Sequence, residues 1–131
     1  TLDIDLQAVE DSVNIDEMHF TNVLFNLLDN ALKYRKEDVP LELMMRTWND
    51  TGKLYISIED NGIGIKKEYV KKVFDRFYRI PTGNVHDVKG FGLGLAYVHK
   101  IVSDHKGTIR AESELGKGTK FIISLPLITQ K

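Results

Sequence analysis

The sequence predicts one α+β domain: a two-layer sandwich in which a mixed, mostly antiparallel sheet of about five strands is covered on one face by about three helices. Three observations predict this fold. Several short segments alternate apolar and polar residues, one long segment repeats its apolar residues with a helical period, and a glycine turn separates the last two strand-like segments. With 131 residues, the chain is long enough to bury a single core.

Strand-like alternation recurs along the chain. The predicted strands lie at Leu2–Leu6, Leu41–Met45, Leu54–Ile58, Thr108–Ala111 and Lys120–Leu125. The last two are rich in apolar and β-branched residues, and the intervening E-L-G-K-G run (114–118) supplies two glycines. We therefore expect a terminal β-hairpin.

Three helices are predicted between these strands. The first runs from its N-cap, Asp16, to about Tyr34, and its apolar residues recur on one helical face: Phe20, Val23, Leu24, Leu27, Leu28 and Ala31. A short helix is expected at Lys66–Phe74, and a third at Leu93–His105, which would end before Gly107. Residues 75–92 show little periodicity, and such long loops usually carry function.

Composition excludes several classes of protein. The net charge of −1 gives no basic excess for nucleic acid or an anionic membrane surface, so any phosphate binding must be local. The absence of cysteine excludes disulfides and thiolate metal sites. The sequence has neither an apolar run long enough to span a membrane nor the pattern of a signal peptide.

Asparagines form a polar stripe on the first predicted helix. Asn22, Asn26 and Asn30 are spaced by four residues, and Lys33 follows by three. Asparagine is a mediocre helix former, so three in register suggest a purpose, although a solvated face would have the same pattern. Amide oxygens of Asn26 and Asn30 are ligands that Mg²⁺ accepts together with water and phosphate oxygens.

Two glycine-containing segments are candidates for nucleotide binding. Residues 56–65 (I-S-I-E-D-N-G-I-G-I) combine a strand, a carboxylate at its end and two glycines, which is also the pattern of an ordinary turn. Residues 89–95 (K-G-F-G-L-G-L) precede a helix and match neither the dinucleotide nor the Walker pattern. A glycine loop before a helix can cradle phosphate or act as a hinge.

Four segments, taken in order, resemble the N, G1, F and G2 boxes of histidine kinases: N-L-L-D-N-A-L-K-Y (26–34), D-N-G-I-G (60–64), F-D-R-F-Y-R (74–79) and G-F-G-L-G-L (90–95). The resemblance covers nearly the whole chain. It implies the Bergerat fold, shared with type II topoisomerases, MutL proteins and heat-shock chaperone ATPases. It further implies that residues 75–92 form a flexible ATP lid.

The resemblance also implies roles for individual residues. Asn30 would bind Mg²⁺ with help from Asn26, Lys33 would reach the phosphates, Tyr34 would lie against the nucleotide, and Asp60 would receive the adenine amine. Arg79 would act near the γ-phosphate, and Asn26 and Lys33 would also assist catalysis. The remaining implied nucleotide contacts are Gly62, Gly64, Ile65, Lys89, Gly90, Gly92, Leu93, Gly94, Leu95 and Thr119. Phe91 departs from relatives that place a polar residue there.

Asn26 separates two possible reactions within the resemblance. ATPase branches place a water-activating glutamate at this position, and an amide cannot act as a base at neutral pH. The expected reaction is therefore transfer of phosphate from ATP to a histidine on a separate dimerisation domain, followed by relay to the receiver domain of a response regulator.

We expect no self-phosphorylation, because none of the four histidines (His19, His86, His99 and His105) is flanked as an acceptor. The chain would be a cytoplasmic catalytic fragment of a membrane-anchored parent, with no direct contact to the membrane or to nucleic acid.

Overall fold

Five strands and three helices follow one another in the computed structural model, which describes residues 2–6, 16–74 and 94–127. In chain order they are β1 (Leu2–Leu6), α1 (Glu17–Lys33), β2 (Leu43–Asp50), β3 (Lys53–Asp60), α2 (Lys67–Val70), α3 (Gly94–Asp104), β4 (Thr108–Glu114) and β5 (Gly118–Pro126). The predicted α+β class and element order are confirmed.

All five strands form one sheet in the order β1-β2-β3-β5-β4. β1 pairs with β2 in parallel, and the three other pairings are antiparallel, as the sequence predicted. The β2–β3 hairpin turns at Thr51 and Gly52, whose φ angles of 52° and 75° are both positive. Two consecutive positive φ angles are typical of the tight turns that match the twist of paired strands.

The helices pack on one face of the sheet. Its core joins α1, α3 and the inward side chains of β3 and β5, and its buried members are Phe20, Val23, Leu27, Ile58, Val98, Ile101, Val102, Phe121, Ile123 and Leu125. On the opposite face, the rings of Trp48 and Tyr55 stack with their centroids 5.4 Å apart. Because the helices cover one face, apolar side chains recur at every second position along the strands on that face.

The predicted N-cap of α1 is confirmed. A carboxylate oxygen of Asp16 accepts a hydrogen bond of 3.1 Å from the backbone N–H of His19, and this bond is the main cause that lowers the pKa of Asp16. The backbone N–H of Asp16 in turn donates to Nε2 of His105, 3.0 Å away. The beginning of α1 is thereby tied to the end of α3.

The end of α3 differs in detail from the prediction. The residue in the left-handed conformation is Lys106, with a φ of 63°, rather than Gly107. The N–H of Gly107 donates to the carbonyl of Val102 at 2.9 Å, which closes the helix in a Schellman arrangement. Packing requires a glycine at position 107 instead, because a Cβ on Gly107 would overlap the carbonyl oxygen of Ser124.

Several predicted boundaries were wrong, among them those of β2 and α2. β2 begins at Leu43 rather than Leu41 and continues to Asp50, because its polar second half pairs along its length with β3. α2 covers only Lys67–Val70, and residues 71–74 form turns instead of continuing the helix. So short a helix forms few internal hydrogen bonds and depends on packing.

Candidate functional site

Asp60 lies at the end of β3, where the strand meets the β4–β5 hairpin. Its Oδ1 accepts two backbone hydrogen bonds, from Gly62 N–H at 2.8 Å and from Thr119 N–H at 3.2 Å. Both bonds fall on one oxygen and fix the carboxylate plane. Among the described residues, Oδ2 is therefore the oxygen left to accept a hydrogen bond from a ligand.

Burial raises the pKa of Asp60, against the opposing effect of the hydrogen bonds from Gly62 and Thr119, and the nearby charge of Glu59 raises it slightly further. The carboxylate thus retains its charge at a cost in free energy. A carboxylate whose pKa is shifted by burial in this way is a candidate for a functional role.

This shift gives a testable pH dependence of stability. The folded chain binds the Asp60 proton at pH values at which the unfolded chain has lost it, so this group makes stability fall as pH rises from the ordinary pKa of 3.8 through the raised value. We expect Asp60→Asn to remove that loss. In urea unfolding from about pH 4 to pH 7, the free energy of unfolding of the variant should increase relative to that of the parent chain as pH rises. A constant difference across this range would contradict the assignment.

The glycines after β3 lie against protein backbone. A Cβ at Gly62 would lie 2.5 Å from the carbonyl oxygen of Tyr34 and 2.9 Å from Asp60 Oδ1. Gly64 has a φ of +76°, and a Cβ there would overlap the carbonyl oxygen of Glu114. The fold itself therefore requires both glycines. Their predicted role in admitting the adenine ring stays a prediction.

The loop at residues 61–65 is held between the end of α1 and the β4–β5 hairpin. Ile63 N–H donates to the carbonyl of Tyr34 at 2.9 Å, and Gly116 N–H donates to the carbonyl of Ile63 at 2.7 Å. From α1's side, Lys36 Nζ donates to the carbonyl of Gly116 at 2.7 Å. These bonds fix the loop that carries Gly62, Gly64 and the buried Ile65 beside Asp60.

Ser113 is a residue of this junction that the sequence did not reveal. Its Oγ accepts a hydrogen bond from Ile65 N–H and contacts both the carbonyl of Gly118 and Oγ1 of Thr119, all at 2.8 Å. The residue lies in the alternating pattern of β4 and is 48 positions from Ile65. No local motif marks it; only the three-dimensional pairing does.

Asn26, in the asparagine stripe of α1, lies near the beginning of α3. Asn26 and Asn30 are half-buried, whereas Asn22 is exposed. A Cβ added at Gly94, the first residue of α3, would lie 3.8 Å from Oδ1 of Asn26. The structure therefore brings two predicted site residues together that are far apart in sequence.

Three further predicted residues lie around this stripe. Lys33 Nζ forms an ion pair of 2.9 Å with Asp29, one turn earlier. Tyr34 caps α1 through its N–H and packs, with Leu95, against the small cluster of Ile65 and Val73. The remaining predicted residues, Arg79, Lys89, Gly90, Gly92 and Leu93, lie outside the described residues, as does the predicted lid at 75–92.

Two features are absent from the described part of the chain. It contains no group of three or more His, Cys, Asp or Glu side chains arranged to hold a metal ion. No helix within the described ranges is both long enough and apolar enough to cross a bilayer.

The chain matches a known family over most of its length. Residues 15–129 match the family described as "Histidine kinase-, DNA gyrase B-, and HSP90-like ATPase". The chain is 70% identical over 123 residues to the sensor protein RprX of Bacteroides fragilis (strain YCH46), covering 94% of this chain and 24% of that protein. It is 44% identical over 114 residues to the sensor histidine kinase WalK of Bacillus subtilis (strain 168), covering 87% and 19%, respectively.

A solved structure has the same fold. The mycobacterial sensor histidine kinase MprB superposes with a TM-score of 0.78 at 28% identity, covering 95% of this chain and 83% of that one. The chain spans about a quarter or less of the two curated relatives. It therefore belongs to the histidine kinase-, DNA gyrase B- and HSP90-like ATPase family, and its relatives within that family are sensor histidine kinases.

Proposed function

We propose that this chain binds ATP with Mg²⁺ and donates the γ-phosphoryl group to a histidine on a separate dimerisation domain of a two-component sensor kinase. The phosphoryl group would then pass to an aspartate of a response-regulator receiver domain. We place this reaction in the cytoplasm, in a parent protein anchored in the membrane. One observation carries the proposal: Asp60, with one oxygen left to bind a ligand, lies next to a glycine loop in a chain whose family consists of ATPases and kinases.

Asp60 would select the adenine base. Two backbone N–H groups hold Oδ1, which leaves Oδ2 to accept a hydrogen bond from the 6-amino group. Thr119, whose N–H donates to this carboxylate, and Ile65, whose N–H donates to Ser113, are both buried, and we assign both to the base-binding end. An acceptor at this point favours an amine over a carbonyl oxygen on the purine ring.

The asparagine stripe would bind the metal and phosphates. Amide oxygens are ligands that suit Mg²⁺, which is usually held by few protein donors together with water and phosphate oxygens. Asn26 and Asn30 meet this requirement, because they lie one turn apart on α1 and Asn26 lies near the N-terminus of α3. When bound, Mg²⁺ would neutralise charge on the phosphates. Lys33 would add positive charge, and the free N–H groups at the beginning of α3 favour an anion.

Asn26 favours transfer over hydrolysis. Its amide cannot remove a proton from water at neutral pH, so the site has no general base at this position. A neutral imidazole needs none, because its ring nitrogen attacks phosphorus with an existing lone pair. The new N–P bond replaces the bond between the γ-phosphorus and the β–γ bridging oxygen, and ADP leaves. Positioning and charge neutralisation then supply the catalysis.

The test is a transfer assay in trans. The 131-residue chain is mixed with a purified histidine-bearing dimerisation domain and γ-labelled ATP, and acid-labile, base-stable label on that domain is measured. Transfer without rapid phosphate release supports the proposal. Vigorous Mg²⁺-dependent release of phosphate by the chain alone would instead identify an ATPase, and failure to bind ATP in a calorimetric titration would exclude both activities.

Arg79 gives a separate prediction for the proposed lid. We expect Arg79→Ala to leave ATP affinity nearly unchanged but to slow transfer roughly 10- to 100-fold, the loss of one charge-assisted contact to the transferring group. Arg76→Ala, three residues earlier in the same segment, is the matched control and should have little effect. Equal losses of binding and transfer in Arg79→Ala would contradict a role in the transfer step.

A further inference from the structure

We infer that Ser113 determines base specificity, because its hydroxyl fixes the direction in which the hydroxyl of Thr119 donates its hydrogen. The pocket end at Asp60 and Thr119 then offers only acceptors to the 6-position of a purine. This inference rests on the proposed function, in which that end holds adenine. It gives a role in nucleotide selection to a strand residue outside the four sequence motifs.

Among the described residues, Ser113 Oγ has three oxygen or nitrogen neighbours at hydrogen-bond distance. Ile65 N–H, the carbonyl oxygen of Gly118 and Oγ1 of Thr119 each lie 2.8 Å away. The backbone N–H of Ile65 can only donate and the carbonyl of Gly118 can only accept, so these two contacts have one possible direction each. The direction of the contact with Thr119 is left to be assigned.

The number of hydrogens on the two hydroxyl groups fixes the direction of the hydrogen bond between Ser113 and Thr119. A serine hydroxyl has one hydrogen and two acceptor lone pairs. The single hydrogen is required between Ser113 Oγ and the carbonyl of Gly118, since two oxygens 2.8 Å apart without a hydrogen repel. The hydrogen between Ser113 and Thr119 must therefore come from Thr119. Ser113 then donates its one hydrogen to the carbonyl of Gly118 and uses its two lone pairs to accept hydrogens from Thr119 and from the Ile65 N–H.

The Thr119 hydroxyl is thereby left with lone pairs only. Thr119 is 6% exposed, so bulk water does not compete for its hydroxyl hydrogen. Its backbone N–H donates to Oδ1 of Asp60, which places the residue directly beside the carboxylate. Asp60 Oδ2 and Thr119 Oγ1 both act as acceptors, which complements the two hydrogens of a 6-amino group and opposes a 6-oxo group.

The experiment compares affinities for ATP and ITP, which carry 6-amino and 6-oxo groups. In Ser113→Ala the Thr119 hydroxyl can rotate and donate, so the ratio of ATP to ITP affinity should fall roughly 2- to 10-fold. Ser113→Thr keeps a hydroxyl, so its ratio of ATP to ITP affinity should stay close to that of the parent chain. Ser124→Ala is the matched control, because it breaks a similar contact between the same strands, the 2.6 Å pair with Thr108, on the opposite face of the sheet.

The outcomes separate this inference from the proposed function. If the parent chain binds no ATP, the proposed function fails. If the parent prefers ATP but Ser113→Ala keeps its ratio, or Ser124→Ala lowers the ratio equally, the role of Ser113 is overturned. Should Ser113→Ala not fold, Thr119→Val tests the same contact from its other side: the ratio should fall, and an unchanged ratio overturns the inference.

Discussion

Asp60→Asn is expected to weaken ATP binding by up to about 10⁴-fold while leaving the fold intact. The asparagine Oδ1 can still accept the bonds that Gly62 and Thr119 donate, so the side chain should keep its orientation. Its Nδ2 then replaces Oδ2 and points a donor at the donor hydrogens of the adenine amine. The parent's charged acceptor is therefore replaced by a mismatch, which costs more than a lost bond.

Isothermal titration with ATP measures this effect, and Glu59→Gln is its control. Glu59 is the preceding residue of β3, and its exposed side chain points to the other face of the sheet. The control removes the same charge one position away and should keep ATP affinity within about 2-fold. Near-normal affinity in Asp60→Asn would refute the assigned adenine pose. The variant should also narrow the preference for ATP over ITP, since Nδ2 can donate to a 6-oxo group.

Sequence patterns predicted the fold well where periodicity was strong. The apolar face of α1 and the alternation in the strands follow directly from which face each element buries. The errors lie where long-range pairing decides instead: the second half of β2, around Trp48, is polar and becomes a strand because β3 pairs with it. α2 is also shorter than predicted: it covers four residues, which pack on β4.

The site was predictable only in part, for a similar reason. Asp60, Asn26 and Asn30 occur in motifs, so the sequence identifies them. Ser113 is invisible in one dimension, because its importance comes from contacts with Ile65 on one side and Gly118 on the other. The motif predicts that its glycines leave space for a nucleotide beside the backbone. The contact of Gly64 with the backbone of Glu114 adds a second reason that no motif contains.

Gly64 and Gly52 form a matched pair that tests whether contact with the backbone of Glu114 requires a glycine. Their φ angles are +76° and +75°, so a side chain suffers the same backbone strain at both. A Cβ at Gly52 would meet nothing within 4 Å, whereas one at Gly64 would overlap the carbonyl oxygen of Glu114. We expect Gly52→Ala to lower the free energy of unfolding by about 1–2 kcal/mol and Gly64→Ala by about 2–5 kcal/mol.

Urea unfolding measures the free energy of unfolding of both variants. The strain at positive φ is the same in both, so the difference between them gives the cost of the overlap with Glu114. The same overlap should push the loop at 61–65 away from the β4–β5 hairpin and so disturb the two backbone bonds that orient Asp60. Gly64→Ala should then lose ATP affinity even under conditions where it is fully folded, whereas Gly52→Ala should not. Equal destabilisation by the two variants would mean that the hairpin yields to the added methyl group, and that the close approach of Glu114 does not hold the nucleotide loop in place.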